Sequence, residues 1–510
     1  MLLNKAKAIE YRATFIYKIM YLLLALFSFN NLTVYTTGLR MAALGVMILG
    51  AIIILYRFIL SKKYIQSIGA VFLGLFLLSY VFSSILNAQY GVEENIKALV
   101  WMTILFGVLY LTDDQRKKES LLKEMRILHI IVLVYITVMN LIGIVMFFLD
   151  FGLEFGRNGS GVHYGWLIGR LMGMYSDPNY MAVISCIALL ILGYLYVEHN
   201  NIHLRVACIL SFLINIAYIA LSDSRTGLVA FVCTTFAVSF LLLKRHTRFM
   251  QLKQWMRVSL SALIALVLLI ASFGAIQLVL EGARLYKAEP NTQAYTFQEQ
   301  PFVASTALTH IDYYLADVTY VTYDSQVTRM PLIVASTTET TDGPAATASD
   351  SEVGRDFLNN DFTAGRLDIW GSAWEIFLSS PVYGVSFRNI IPYAQANLPE
   401  TFVVNNTIEN FASMHNIVLD ILVSQGVIGI VFFAIFAVIV LKRLFTGLHR
   451  AQGSEYVVIT IGICTMLPII ISTIFYSEII YINTSGSVLF WITLGALMRY
   501  LIVRDDLQPS

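Results

Sequence analysis

Four short segments hold the residues best suited to chemistry. The first runs from Gly169-Arg170 to Ser176-Asp177-Pro178-Asn179, just ahead of an apolar run. The second is the tight turn Ser222-Asp223-Ser224-Arg225-Thr226-Gly227, the third is Gly365-Arg366, and the fourth is His415-Asn416 at the mouth of another apolar run. A guanidinium is planar and offers paired donors that match phosphate oxygens. Arg225 also opens a helix, whose free N–H groups and dipole favour an anion. His415, with an ordinary pKa of about 6.5, can accept a proton near neutrality. Arg170, Arg225 and Arg366 therefore suit a clamp on a lipid pyrophosphate, and His415 suits the base that deprotonates an attacking hydroxyl.

The supporting residues are Asp177, Asn179, Asn416, Asp420 and Glu478. Asn416 can cap its helix or bind substrate. Asp420 is a carboxylate inside an apolar run, a functional candidate by that fact alone. At ~3.6 residues per turn it stands about 140° from His415, so it is not expected to orient that ring directly. Glu478, after the eleventh span, reads first as a solvated surface group. Plainer readings exist for the others too. Arg170 and Arg225 could anchor at headgroups, Arg366 could pair with Asp361 or Asp368, and His415 could be an interfacial cap.

Composition says where these segments must sit. The chain has 510 residues, 57% hydrophobic and 13% charged, against about 25% charged in soluble domains. That deficit marks a polytopic membrane protein. The net charge of +1 gives no global field toward nucleic acid. Cys186, Cys208, Cys233 and Cys464 all fall in apolar runs, which argues against a disulfide framework. There is no Asp-x-Asp, no His-Glu-x-x-His and no Gly-Lys dipeptide. Metal-dependent sugar transfer and ATP-driven transport lose support accordingly.

Spans of roughly 20 apolar residues fall at 15–36, 40–56, 64–86, 95–112, 125–149, 179–197, 203–221, 225–243, 256–280, 416–441, 456–476 and 487–504. Basic clusters such as Arg57/Lys62/Lys63, Lys117/Lys118/Lys123 and Lys244/Arg245/Arg248 recur on one side. The positive-inside rule then places both termini in the cytoplasm. The expected fold is an all-α polytopic membrane protein: spans one to nine over 1–280, an extracytoplasmic loop over 281–414, and spans ten to twelve over 415–510. That loop carries 6 basic and 16 acidic residues, so a generic basic patch does not account for Arg366. Within it, 336–351 has the composition of a mobile linker, and 303–332 could form short strands. Residues 363–380 predict a helix capped by Thr363, with Leu367, Trp370, Trp374 and Phe377 on the face that meets bilayer or bundle.

Taken together, Ser224-Arg225-Thr226-Gly227, Gly365-Arg366 with Trp370, Pro381-Val382-Tyr383-Gly384-Val385 and His415-Asn416…Leu419…Gly426-Val427-Ile428-Gly429 resemble the O-antigen ligase / O-antigen polymerase family of bacterial inner membranes. Asp177-Pro178-Asn179 is similar to that family's element before a span. The resemblance implies a C-type, inverting, metal-independent glycosyltransferase without cofactors. It implies a donor glycan on undecaprenyl pyrophosphate, held by Arg225 and Arg366 with help from Arg170, and a glycan acceptor activated by His415. A polymerase would take a second lipid-linked repeat unit as acceptor. A ligase would take lipid-A core or a similar glycan. Flippase and chain-length regulator proteins are the partners such an enzyme implies. A polysaccharide transporter would instead spread charges along a central path and show inverted repeats. Here the informative charges cluster at one face and no repeat relates the halves.

Overall fold

The computed structural model describes residues 2–60, 67–111, 117–155, 162–167, 169–245, 251–288, 298–302, 330–334, 366–405, 411 and 413–507. The linker 336–351, Gly365, Thr363, Asp361 and residues 303–329 lie outside them. Among the described residues, helical segments overlap each of the apolar runs. They are α1 (Leu2–Phe27), α2 (Thr37–Leu60), α3 (Ala70–Leu86), α4 (Glu93–Ile104, continued by a π-helical turn Leu105–Tyr110), α5 (Lys118–Phe148) and α6 (Pro178–Glu198). Then come α7 (Ile202–Leu221), α8 (Arg225–Lys244) and α9 (Gln254–Ala288). After the shorter α10 (Arg366–Ser379), α11 (Ile390–Asn397) and α12 (Phe402–Asn405), the last three are α13 (Ile417–Arg450), α14 (Gly453–Ser472) and α15 (Ser485–Leu507).

Among the described residues, nine helices are long and apolar enough to cross a membrane: α2, α5 to α9, and α13 to α15. The chain is an all-α polytopic membrane protein. α3 is apolar but shorter, at 17 residues. The first expected span is displaced. α1 ends at Phe27, because Asn30, Asn31 and Thr33 take backbone groups into a turn: Thr33 and Val34 N–H both bond Asn30 O at 2.9 Å. The ninth runs on to Ala288, past its expected end at 280.

Among the described residues there are two small antiparallel sheets, and the first was not anticipated. β1 (Gly152–Phe155), β2 (Val162–Leu167) and β3 (Arg170–Gly173) lie between α5 and α6. β4 (Gln298–Phe302) pairs with β5 (Met330–Val334), in and beside the stretch read as possible strands. The turn after α1 joins the first sheet's exit. Asn31 N–H bonds Met174 O at 3.0 Å, and Ser176 N–H bonds Phe29 O at 3.0 Å. This seats Asp177 at the head of α6.

α10 forms where the apolar repeat predicts a helix. Ile369, Ser372, Ala373, Ile376 and Phe377 are buried, whereas Leu367 and Trp374 are 59% and 50% exposed. Of the predicted face, Phe377 packs into the bundle, and Leu367 and Trp374 point away from it. Small residues, Ser372 and Ala373, complete the buried stripe, which the apolar repeat does not distinguish.

The segment after α10 is fixed to α13 by backbone alone. Val385 and Ser386 N–H donate to Val423 and Ser424 O at 2.8 and 2.9 Å, and Val427 N–H donates to Pro381 O at 2.9 Å. α13 breaks its helical backbone at Gly426 to allow this. Gly426 and Gly384 have φ of 61° and 68°. A Cβ on either would overlap the other segment's backbone, at Val382 and Ser424 respectively. α3 braces the joint: Ser83 Oγ donates to Ser424 O at 2.8 Å, and Asn87 Nδ2 donates to Gly384 O at 3.1 Å. Gly426→Ala should cost at least about 1–3 kcal/mol from the left-handed backbone alone. Thermal unfolding of purified protein checks this, with a lowered midpoint expected for Gly426→Ala and an unchanged one for Gly45→Ala on α2, where an added Cβ meets nothing within 4 Å.

Candidate active site

Three helices begin around one small pocket. Asp177 caps α6, accepting from the Asn179 and Tyr180 amides at 2.9 and 3.2 Å. Asn416 caps α13, accepting from the Val418 and Leu419 amides at 3.0 and 3.3 Å. Thr484 and Ser487 exchange reciprocal bonds of 2.8 and 2.9 Å at the start of α15. The pocket between them is lined by Phe29, Asp177, Tyr180, Ser413, His415, Tyr476, Ser477, Glu478, Ile482 and Thr484. The positive ends of three helix dipoles thus surround one recess.

His415 enters on a strained turn, with φ of 51°. Asp420 explains how the turn is held. Its Oδ1 accepts the Met414 N–H at 2.8 Å, and its Oδ2 accepts the Ser477 hydroxyl. Asp420 therefore orients His415 through the backbone rather than through the ring, and links it to the segment after α14. Asn416 adds a bond from Nδ2 to Ile474 O at 3.2 Å. The imidazole sits edge-on between Phe411 and Tyr476, at centroid separations of 6.4 and 6.2 Å. Burial, with the nearby Arg366 charge, pushes its pKa down to about 4, so the ring is a neutral base at pH 7.

Arg366, the first residue of α10, lies over the rings of Phe475 and Tyr476 at 5.6 and 5.8 Å. Its charge reaches both His415 and Asp177. Arg170 is half-buried. Its Nε donates to Ser222 O at 2.9 Å, and its Nη2 donates to Asn179 Oδ1 at 2.7 Å. It thereby ties β3 to the turn that carries Arg225 and to the head of α6. Ser224 caps α8 by accepting the Gly227 amide at 2.9 Å, and Gly227 packs against Ala182 of α6. Burial pushes the Asp177 carboxyl up, opposed by the amides of α6 and the charges of Arg170 and Arg366.

The pocket wall itself contains His415, Asp177 and Glu478 but no arginine. Arg366 flanks it behind Tyr476, and Arg170 stands behind Asn179. Arg225 is carried by the adjoining turn. The reading of Glu478 as a solvated surface group is corrected: it is 1% exposed, because the 473–484 segment folds back into the bundle instead of looping over it. Tyr476 was missed. It is buried and touches Arg366 and His415. In sequence it is one of 28 tyrosines in an apolar stretch, and no spacing marks it.

Residues 209–434 match the family model described as O-antigen ligase. That match supports an O-antigen ligase/polymerase family membrane protein. The matched region of the family domain includes Arg225, Arg366, His415, Asn416 and Asp420, and both glycines of the α13 joint. Arg170, Asp177, Asn179, Tyr476 and Glu478 lie outside it. A search among curated proteins gave no match.

Two outcomes follow for the family domain. Asp420→Ala strands the buried Met414 amide and should destabilise by about 1–3 kcal/mol; Asp420→Asn, which keeps one acceptor oxygen, should cost less. Thermal midpoints rank them. Second, unfolded His415 gains its proton near pH 6.5, whereas the folded ring resists protonation until about pH 4. Stability should therefore rise with pH across that window. Midpoints measured from pH 4 to 7 should climb less steeply in His415→Gln.

Proposed function

We propose that this protein transfers a glycan from undecaprenyl pyrophosphate to a saccharide hydroxyl, without metal. The observation that carries the reading is the juxtaposition of Arg366 and neutral, half-buried His415 about the shared Tyr476 ring. Pyrophosphate leaves readily once its charge is stabilised, and preorganised guanidinium groups and helix N-termini supply that stabilisation. His415 takes the proton of the acceptor hydroxyl as its oxygen attacks the anomeric carbon and the C–O bond to pyrophosphate breaks. Attack opposite the leaving group inverts the configuration. Arg366 and Arg225 are assigned to the pyrophosphate. Arg170 holds the Arg225 turn and Asn179 in place, in addition to any direct contact.

Within this reading the acceptor is a second lipid-linked repeat unit, which makes the protein a polymerase of surface polysaccharide in a bacterial inner membrane, working on the extracytoplasmic face. The basic clusters support that orientation by the positive-inside rule. A ligase reading is favoured by the description of the matched family. Purified protein supplied with lipid-pyrophosphate oligosaccharide separates the two. A ladder formed with no other acceptor indicates polymerase, and transfer only to an added glycan indicates ligase. Loss of the base should slow transfer about 10²–10⁴-fold, so His415→Ala should be nearly inactive while inserting normally. Wild-type rates in that variant would overturn the assignment.

A further inference from the structure

Glu478 has no task in the reaction as described, and it lies beyond the matched family region. Its Oε2 accepts the Ser472 hydroxyl at 2.6 Å. Oε1, fully buried, has no hydrogen-bond partner among the described residues. The carboxyl lines the same pocket as His415. The backbone presents it rigidly. Ile479, next in sequence, is a β-branched residue at φ 82°, held by a Trp491 Nε1–H bond to its carbonyl at 2.5 Å. Gly486 leaves the space behind clear, since a Cβ there would stand 3.3 Å from Oε2.

A buried carboxyl oxygen without a partner is costly, and it persists where a ligand completes it. Burial, with Asp177 nearby, raises the pKa of this group well above the usual carboxylate value, which favours the protonated form. A neutral carboxyl both donates and accepts, as does a sugar hydroxyl. It does not suit a phosphate, for which Arg366 stands on the other side of Tyr476. We propose that Glu478 binds a hydroxyl of the substrate saccharide beside His415, through its unpartnered Oε1. The inference rests on the transfer reading and gives the pocket a sugar-binding wall.

Full-length wild type, Glu478→Gln, Glu478→Asp and Glu478→Met in lipid nanodiscs test this with lipid-pyrophosphate oligosaccharide. Glu478→Met should raise a saccharide KM about 10–100-fold, the loss expected when a hydroxyl's partner is removed, with a smaller change in kcat. Glu478→Asp, which withdraws the group by one methylene, should raise the same KM. Glu478→Gln still donates and accepts, and should stay within a few-fold of wild type with the same pH profile. A KM shift for the donor puts the hydroxyl on the donor, and one for the acceptor puts it there; both support the proposal. Without substrate, Glu478→Met should unfold no earlier than wild type, because Ser472 keeps its bond to Ile469 O at 2.8 Å. Unchanged KM values in Glu478→Met and Glu478→Asp overturn the proposal. So does a Glu478→Gln as impaired as Glu478→Met with a shifted pH profile. If wild type turns over no lipid-linked saccharide, the transfer reading fails. Binding of the lipid-free oligosaccharide, followed by tryptophan fluorescence, then decides Glu478 separately: wild type and Glu478→Gln should bind and Glu478→Met should not, and equal binding by all three overturns the proposal.

Discussion

The backbone joint between Gly384 and Gly426 is the constraint on which the site depends. α10 brings Arg366 from one side, and α13 brings His415 from another. Between them, among the described residues, the paired segments 381–386 and 423–428 fix the relative position by main-chain bonds. Two side chains with a Cβ cannot approach so closely, and both residues need a left-handed backbone. Breaking a membrane helix in mid-course would strand its backbone groups in lipid. The partner segment and the hydroxyl and amide groups of α3 satisfy them instead. Beside the break, buried Gln425 bridges Ser79 and Tyr481 at 2.5 Å each and so anchors the segment that bears Tyr476 and Glu478.

From that joint the electrostatics of the pocket follow. Asp420 and Gln425, on one helix, hold the 473–484 segment at two points, Ser477 and Tyr481. That segment closes the recess between the heads of α6, α13 and α15. Burial does the chemical tuning: it keeps His415 neutral and shifts the Glu478 carboxyl toward its protonated form. A neutral base, a neutral acid and a flanking guanidinium can coexist in a small space, where three charged groups could not.

The membrane class, the helix starts at Arg225 and Asn416 and the joint's glycine-bearing motifs were legible in sequence. Each rests on local signals: apolar length, capping side chains and glycine. Asp420 was legible as an unusual carboxylate but not as a backbone clamp. The angle between two helical side chains says nothing of a turn folding back onto the helix. Glu478 and Tyr476 were misread or missed for a different reason. Their environment is built by contacts across the bundle, among α6, α13 and the end of α14, and no periodicity encodes that. The part of Ser372 and Ala373 in the buried face of α10 has the same origin, since small residues carry no apolar signal.

The central claim is that Arg366 and His415 serve one substrate headgroup at the pocket between α6, α13 and α15. The most direct measurement is an experimental structure of the full chain in a lipid nanodisc with undecaprenyl pyrophosphate bound. The account requires the pyrophosphate against the Arg366 guanidinium, with the His415 ring facing the carbon-bearing end of the phosphate chain. A headgroup bound elsewhere on the bundle, with both side chains unchanged, would contradict it.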